Sequence, residues 1–106
     1  MKVSDVRNIL LKNNIREELI KINDKFLIPG AYYLYYDDES HDWIDFYYDR
    51  ECFSERHFDT EDAACSHFLE LIFSEPETFT DFSMKEYKNI EERGKKLIEK
   101  YVKNAD

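Results

Sequence analysis

The sequence predicts an α+β fold in which a small three-stranded antiparallel sheet packs with N-terminal helices, a following helix and a long C-terminal helix. Apolar residues recur with helical spacing near both ends of the chain and alternate with period two in the middle. The alternating segments are joined by connections too short for a crossover, so the strands must be antiparallel. A chain of 106 residues supports one hydrophobic core. We therefore predict a single domain over residues 1–106.

The N-terminal part of the chain has helical periodicity. In SDVRNILLKNN, apolar residues such as Val6 and Leu10 recur at helical spacing. IREELIKIN continues this spacing and predicts a second helix, while KFLI directly after it remains open as a short strand. The dipeptide Pro29-Gly30 then predicts a turn.

Three segments in the middle of the chain have strand character. AYYLYY, WIDFYYD and CFSERHF are rich in aromatic and β-branched residues, and turn or loop residues separate them. In WIDFYYD we expect Ile44, Phe46 and Tyr48 to enter the core against the helices. The opposite face is either covered by the N-terminal helices or forms an interaction surface, and it carries Trp43, Asp45, Tyr47 and Asp49.

Helical periodicity returns in the C-terminal half. FDTEDAACSHFLELIF predicts a helix capped by Asp59 or Thr60, with acids in its first turn, where the helix dipole favours them. After the connector SEPETFTDF, a capping box that begins at Ser83 predicts a long helix to about Asn104. Gly94 lies on the apolar stripe of this helix, so we expect another element to approach it closely.

Negative charge is concentrated in the middle of the chain. The formal net charge is −9, but residues 37–81 hold fifteen acidic residues against two arginines, a net charge of −13, while each flank carries +2. Such a region repels nucleic acids and anionic membranes and attracts basic partners. We therefore predict no nucleic-acid or membrane partner. An acidic surface that only keeps the protein soluble remains the alternative.

The sequence contains no recognisable catalytic or metal-binding motif. It has no phosphate-binding loop, dinucleotide fingerprint or calcium loop, and its two cysteines, Cys52 and Cys65, have no metal-ligand spacing. We predict two buried free thiols, no catalytic residue, no metal and no cofactor. The remaining enzymatic alternative is a Cys-His dyad that joins Cys52 to His57 or His67.

The N-terminus lacks the apolar stretch of a signal peptide, which predicts a cytoplasmic protein.

The stretch from Tyr32 to Leu71 resembles small bacterial immunity proteins of polymorphic toxin systems, including those of contact-dependent growth inhibition. The resemblance rests on the strand WIDFYYDR and on FDTEDAACSHF, where an Ala-Cys pair opens a helix. It covers roughly forty residues. The chain departs from the family pattern at Glu51, because a glycine usually follows the arginine that corresponds to Arg50.

The resemblance implies a protein that binds a toxin domain and neutralises it without catalysis. Toxins of these systems are often nucleases, which are basic because they hold phosphates, so the acidic middle region fits such a partner. An acidic mimic of nucleic acid that blocks a DNA-binding protein is the competing class. The identity of the toxin and the oligomeric state stay open. The partner-binding residues that we predict from charge and alternation are Asp37, Asp38, Glu39, Asp42, Trp43, Asp45, Tyr47, Asp49 and Glu51.

Overall fold

The computed structural model describes residues 1–103 and has an α+β architecture. The central helix packs on one face of a sheet, and the other two helices pack beside it. This confirms the predicted class, but the sheet has four strands rather than three and is mixed rather than antiparallel. The elements in chain order are α1 (Val3–Lys12), β1 (Ile20–Ile22), β2 (Ala31–Asp37), β3 (Asp42–Tyr48), β4 (Cys52–Phe58), α2 (Glu61–Phe73) and α3 (Tyr87–Ile98).

The strand order in the sheet is β1-β2-β3-β4, with β1 parallel to β2 and the other neighbours antiparallel. The predicted second helix is wrong, because IREELIKIN forms a single 3-10 turn (Glu17–Leu19) and then β1. KFLI lies outside any strand. An isolated helix of nine residues is marginal in water. In the structure, the backbone of this segment instead pairs with β2, and Ile15 forms a bridge with Phe79.

The main hydrophobic core lies between α2 and the sheet. The predicted apolar stripe of α2 is confirmed, since Ala64, Cys65, Phe68 and Leu69 are fully buried. The hydroxyl oxygen of Thr60 accepts a hydrogen bond from the backbone N–H of Ala63 at 3.1 Å, which confirms the cap. This helix contacts β2, β3 and β4.

The last helix begins later than the sequence predicted. Ser83 and Glu86 form a turn, in which the Ser83 hydroxyl accepts from the Glu86 N–H, and α3 starts at Tyr87. A π-helical turn (Glu99–Lys103) follows α3, and the predicted end at Asn104 lies outside the described residues. The close approach at Gly94 is confirmed, because a Cβ atom there would lie 2.1 Å from the Phe73 carbonyl oxygen.

Within residues 1–103, no helix combines the length and apolar character needed to cross a membrane.

Candidate functional site: the outer face of the sheet

The two faces of β3 are reversed relative to the sequence prediction. Trp43 and Tyr47 pack against the main core on the α2 side, and Asp45 contacts α2 directly. Ile44 and Phe46 lie instead on the opposite side, which we call the outer face, in a second cluster with Ala31, Tyr33, Tyr35 and Tyr48. The prediction that Ile44, Phe46 and Tyr48 face the helices is therefore wrong. The sheet buries apolar side chains on both faces, so alternation alone does not show which set meets the helices.

Asp45 is a structural residue in the interior rather than an exposed one. Its side chain is fully buried, and its Oδ2 lies 2.5 Å from Nδ1 of His67 on α2. Burial raises the pKa of the Asp45 carboxyl, while the contact with His67 opposes that rise. Its other oxygen, Oδ1, has no hydrogen-bond partner among the described residues. The prediction of an accessible Asp45 is wrong, because His67 supplies a partner for it inside the core.

The nine predicted partner-binding residues do not form one surface. The loop between β2 and β3 holds Asp38 and Glu39 at one end of the sheet, whereas the turn between β3 and β4 holds Asp49 and Glu51 at the other. Seven residues of β3 separate the two ends, a span of about 20 Å. The largest group that the structure brings together lies at the β2–β3 end and consists of Asp37, Asp38, Glu39 and Asp42.

The connection from β1 to β2 crosses the outer face of the sheet. The Tyr33 hydroxyl donates to the Phe26 carbonyl and accepts from the Ile28 N–H, both at 2.7 Å. The Tyr33 ring stacks on Phe46 with 4.9 Å between ring centroids. We call residues 23–30 the crossover segment. It leaves a groove of about 390 Å³ between itself and β4, with Tyr33, Tyr35 and Phe46 in the lining.

The groove is acidic. Besides its three aromatic rings, its lining contains four carboxylate side chains and a single cationic one, Lys25. A hydrogen bond from the Ser40 hydroxyl holds the pKa of Asp37 below its usual value, so this group stays ionised at neutral pH. A concave surface lined by one sign of charge attracts ligands of the opposite sign. The four carboxylates belong to Asp24, Asp37, Glu39 and Glu55.

His57 connects two of the acids beside the groove. Its Nδ1 lies 2.9 Å from Asp42 and its Nε2 lies 2.8 Å from Glu55. Both carboxylates accept hydrogen bonds, so the two contacts are made together only by the protonated ring. Both hydrogen bonds raise the pKa of His57, and the bond to Glu55 has the larger effect. Asp42 is held in this arrangement and Asp37 is held by Ser40, which leaves Glu39 as the freer carboxylate of the three.

Exposed apolar residues adjoin the groove on the crossover segment. Phe26 has 73% of its surface exposed, and Leu27 and Ile28 beside it are also exposed. Three consecutive exposed apolar residues next to an acidic rim have the composition of a protein-binding surface. The sequence prediction missed this segment because KFLI was considered only as a strand. The available signal was an apolar run placed directly before Pro29-Gly30, where a strand has no room to continue.

The cysteines have surroundings that disfavour nucleophilic chemistry. Cys52 is exposed rather than buried as predicted, because it lies on the edge strand β4, whereas Cys65 is buried as predicted. Burial raises the pKa of Cys65 to about 12. Partial desolvation, with Glu55 and Glu51 nearby, raises the pKa of Cys52. A reactive thiolate needs electropositive surroundings, which neither cysteine has.

Two of the three histidines lie within hydrogen-bond distance of carboxylates: His57 of Asp42 and Glu55, and His67 of Asp45. Among residues 1–103, no group of three or more His, Cys, Asp or Glu side chains is placed to hold a metal ion.

Comparison of the chain with protein-family models, curated protein sequences and solved structures returned no match.

Proposed function

We propose that this chain is a cytoplasmic inhibitor that binds a cationic toxin domain and neutralises it without catalysis. The observation that carries the proposal is the groove on the outer face, where acidic side chains surround aromatic ones and an exposed apolar segment adjoins. The function expected from the sequence of residues 32–71 is the same, although no family model matches the chain.

The proposed binding surface differs from the one expected from the sequence. It keeps Asp37, Asp38 and Glu39 at the β2–β3 end and adds Asp24 and Glu55 of the groove. Apolar residues of the crossover segment would supply the buried centre of the interface, and the acids would form its rim and steer a basic partner. Asp45 is excluded because it is buried in the core.

Growth rescue by the paired gene product is the direct test. The C-terminal domain of any large protein that the host genome encodes next to this gene would be expressed from an inducible promoter in a bacterial host, with and without this chain. We expect that domain to arrest growth alone and the chain to restore growth. Restored growth should coincide with a one-to-one complex of the two purified proteins. The absence of a toxic neighbouring product would contradict the proposed function.

Charge reversal then tests the surface. We expect Asp37→Lys combined with Glu39→Lys to weaken the complex by about tenfold or more, because both carboxylates lie on the groove. The matched control is Glu92→Lys combined with Glu99→Lys, which changes net charge equally at exposed positions on and just after α3. Equal weakening by both pairs would show that only net charge matters. Binding to many DNA-binding proteins, released by moderate salt, would favour the nucleic-acid mimic instead.

A further inference from the structure

A second concave site lies on the α2 side of the sheet, at the end opposite the β2–β3 loop. It has a volume of about 590 Å³, within the range of small-molecule sites. Three aromatic rings, one each from β2, β3 and β4, line it side by side. The rings of Tyr32 and Tyr47 lie 4.8 Å apart between centroids, and those of Tyr47 and Phe53 lie 6.3 Å apart. We call this site the aromatic cavity, and it shares no lining residue with the groove on the outer face.

Two carboxylates line the aromatic cavity without an ionic partner. Glu75 and Glu77 follow the end of α2, and neither makes a salt bridge within residues 1–103. Partial burial, with a smaller effect from Glu77, raises the pKa of Glu75. The one cation in the lining, Arg16, donates through Nε to Glu18 at 2.8 Å. The lining therefore carries a net negative charge, held by two glutamates that are exposed to solvent.

Tyr32 places a hydroxyl group on the wall of the cavity. The residue is 7% exposed, and the side-chain oxygens buried without a partner within residues 1–103 are Asp45 Oδ1 and the Tyr101 hydroxyl, so the Tyr32 hydroxyl is open to the cavity. Partial desolvation raises the pKa of Tyr32, with smaller effects from the nearby charges of Glu75 and Glu77. The hydroxyl is therefore available to a ligand in the cavity.

We propose that the aromatic cavity binds a guanidinium group carried on an aliphatic stem. A planar guanidinium stacks on aromatic rings and directs several N–H donors to carboxylates in the same plane. Tyr47 and Phe53 supply the stacking surface, while Glu75 and Glu77 supply the acceptors. The Tyr32 hydroxyl oxygen accepts one further N–H. A lysine-type ammonium has the charge but lacks the flat face, so it fits this wall less well.

The binding of small probes tests the proposal without knowledge of a protein partner. N-acetyl-arginine amide would be titrated into the ¹⁵N-labelled chain and followed by backbone amide NMR shifts. We expect saturable shifts around β2, Phe53 and residues 75–78, with a dissociation constant on the order of 1 mM for so small a ligand. N-acetyl-citrulline amide, the uncharged isostere, should bind at least about tenfold more weakly. Equal binding of the two probes, or no saturable shift, would overturn the proposal.

Agmatine distinguishes the two sources of a guanidinium group. It carries the group on an aliphatic stem without a peptide backbone. Binding as tight as that of N-acetyl-arginine amide would support a free guanidino compound as the ligand. Clearly weaker binding would support an arginine side chain presented by a protein. Both results support a guanidinium site.

Two variants localise the binding to the cavity. Glu75→Gln combined with Glu77→Gln should weaken the binding of N-acetyl-arginine amide by about tenfold, since both acceptors lose their charge. The control, Glu92→Gln combined with Glu99→Gln, removes the same charge outside the cavity lining and should leave affinity unchanged. Retained affinity in the first variant, with a native amide spectrum, refutes the site. Tyr32→Phe keeps the ring and should cost a few-fold in affinity. Growth rescue depends on the outer-face groove, so either proposal can fail alone.

Discussion

Replacing Gly94 by alanine separates helix propensity from packing, because the two effects have opposite signs. In the interior of an exposed helix, Gly→Ala stabilises by about 1 kcal/mol. In this chain the added Cβ would lie 2.1 Å from the Phe73 carbonyl oxygen and 3.3 Å from its carbon. A carbon and an oxygen in ordinary contact are about 3.3 Å apart or more, so α3 and α2 must separate by roughly 1.2 Å.

That separation disturbs the contact between the two helices. The obstructing atom belongs to the backbone at the end of α2, so no side-chain rotation relieves it. Overpacking of this kind costs about 1–3 kcal/mol. Taking the upper value and subtracting the propensity gain, we expect Gly94→Ala to destabilise the domain by about 2 kcal/mol. For a domain of this size the melting temperature should fall by roughly 10 °C.

Urea denaturation followed by fluorescence of Trp43 and by circular dichroism measures the change. Gly30→Ala is an informative comparison, since no atom lies within 4 Å of its Cβ position but its φ of +90° is strained for alanine. Lys96→Ala at an exposed position of α3 should leave stability nearly unchanged. If Gly94→Ala were as stable as the natural chain or more stable, the close approach of α2 and α3 would be wrong.

Two further predictions concern thiol access and acid stability. We expect Ellman's reagent to label one thiol per native chain, that of Cys52, and to reach Cys65 only after unfolding. The reason is that Cys65 is buried and its pKa is about 12. Rapid labelling of both thiols in native buffer would contradict this expectation. The two hydrogen bonds from Arg93 lower the pKa of Asp81 below its usual 3.8. The ion pair therefore stabilises the fold at pH values above 3.8, and this stabilisation is lost as the pH falls through the lowered pKa of Asp81. Urea midpoints should therefore show Asp81→Asn less stable at pH 7 and equal to the natural chain at strongly acidic pH; an unchanged difference across that range would refute the ionic contribution.

Local sequence patterns predicted much of the fold because their signals act over a few residues. The alternation in β2, β3 and β4 and the apolar stripe of α2 correspond to elements in the structure. The N-terminal segment IREELIKIN was misassigned because its apolar spacing fits a helix and an edge strand equally well. Pairing with β2, a contact distant in sequence, decided between them.

The candidate site was predicted less well than the fold. The acidic character of residues 37–81 is visible in the sequence, and Asp37 and Glu39 do line the groove. The wall formed by the crossover segment could not be anticipated, because it requires β1 to lie parallel to β2. The aromatic cavity joins Tyr32 to Glu75, residues more than forty positions apart. No short-range pattern connects such residues.

The sequence by itself determined the α+β class, the three aromatic strands, the capped helix α2 and the excess of negative charge, since each depends on neighbouring residues. Only the tertiary structure decided which face of β3 meets the helices. Both faces of that strand are apolar enough to be buried. The choice rests on His67 of α2 meeting Asp45 and on the crossover segment binding the hydroxyl of Tyr33, whose ring stacks on Phe46. That choice moved Asp45 into the core and left the acidic groove on the outer face.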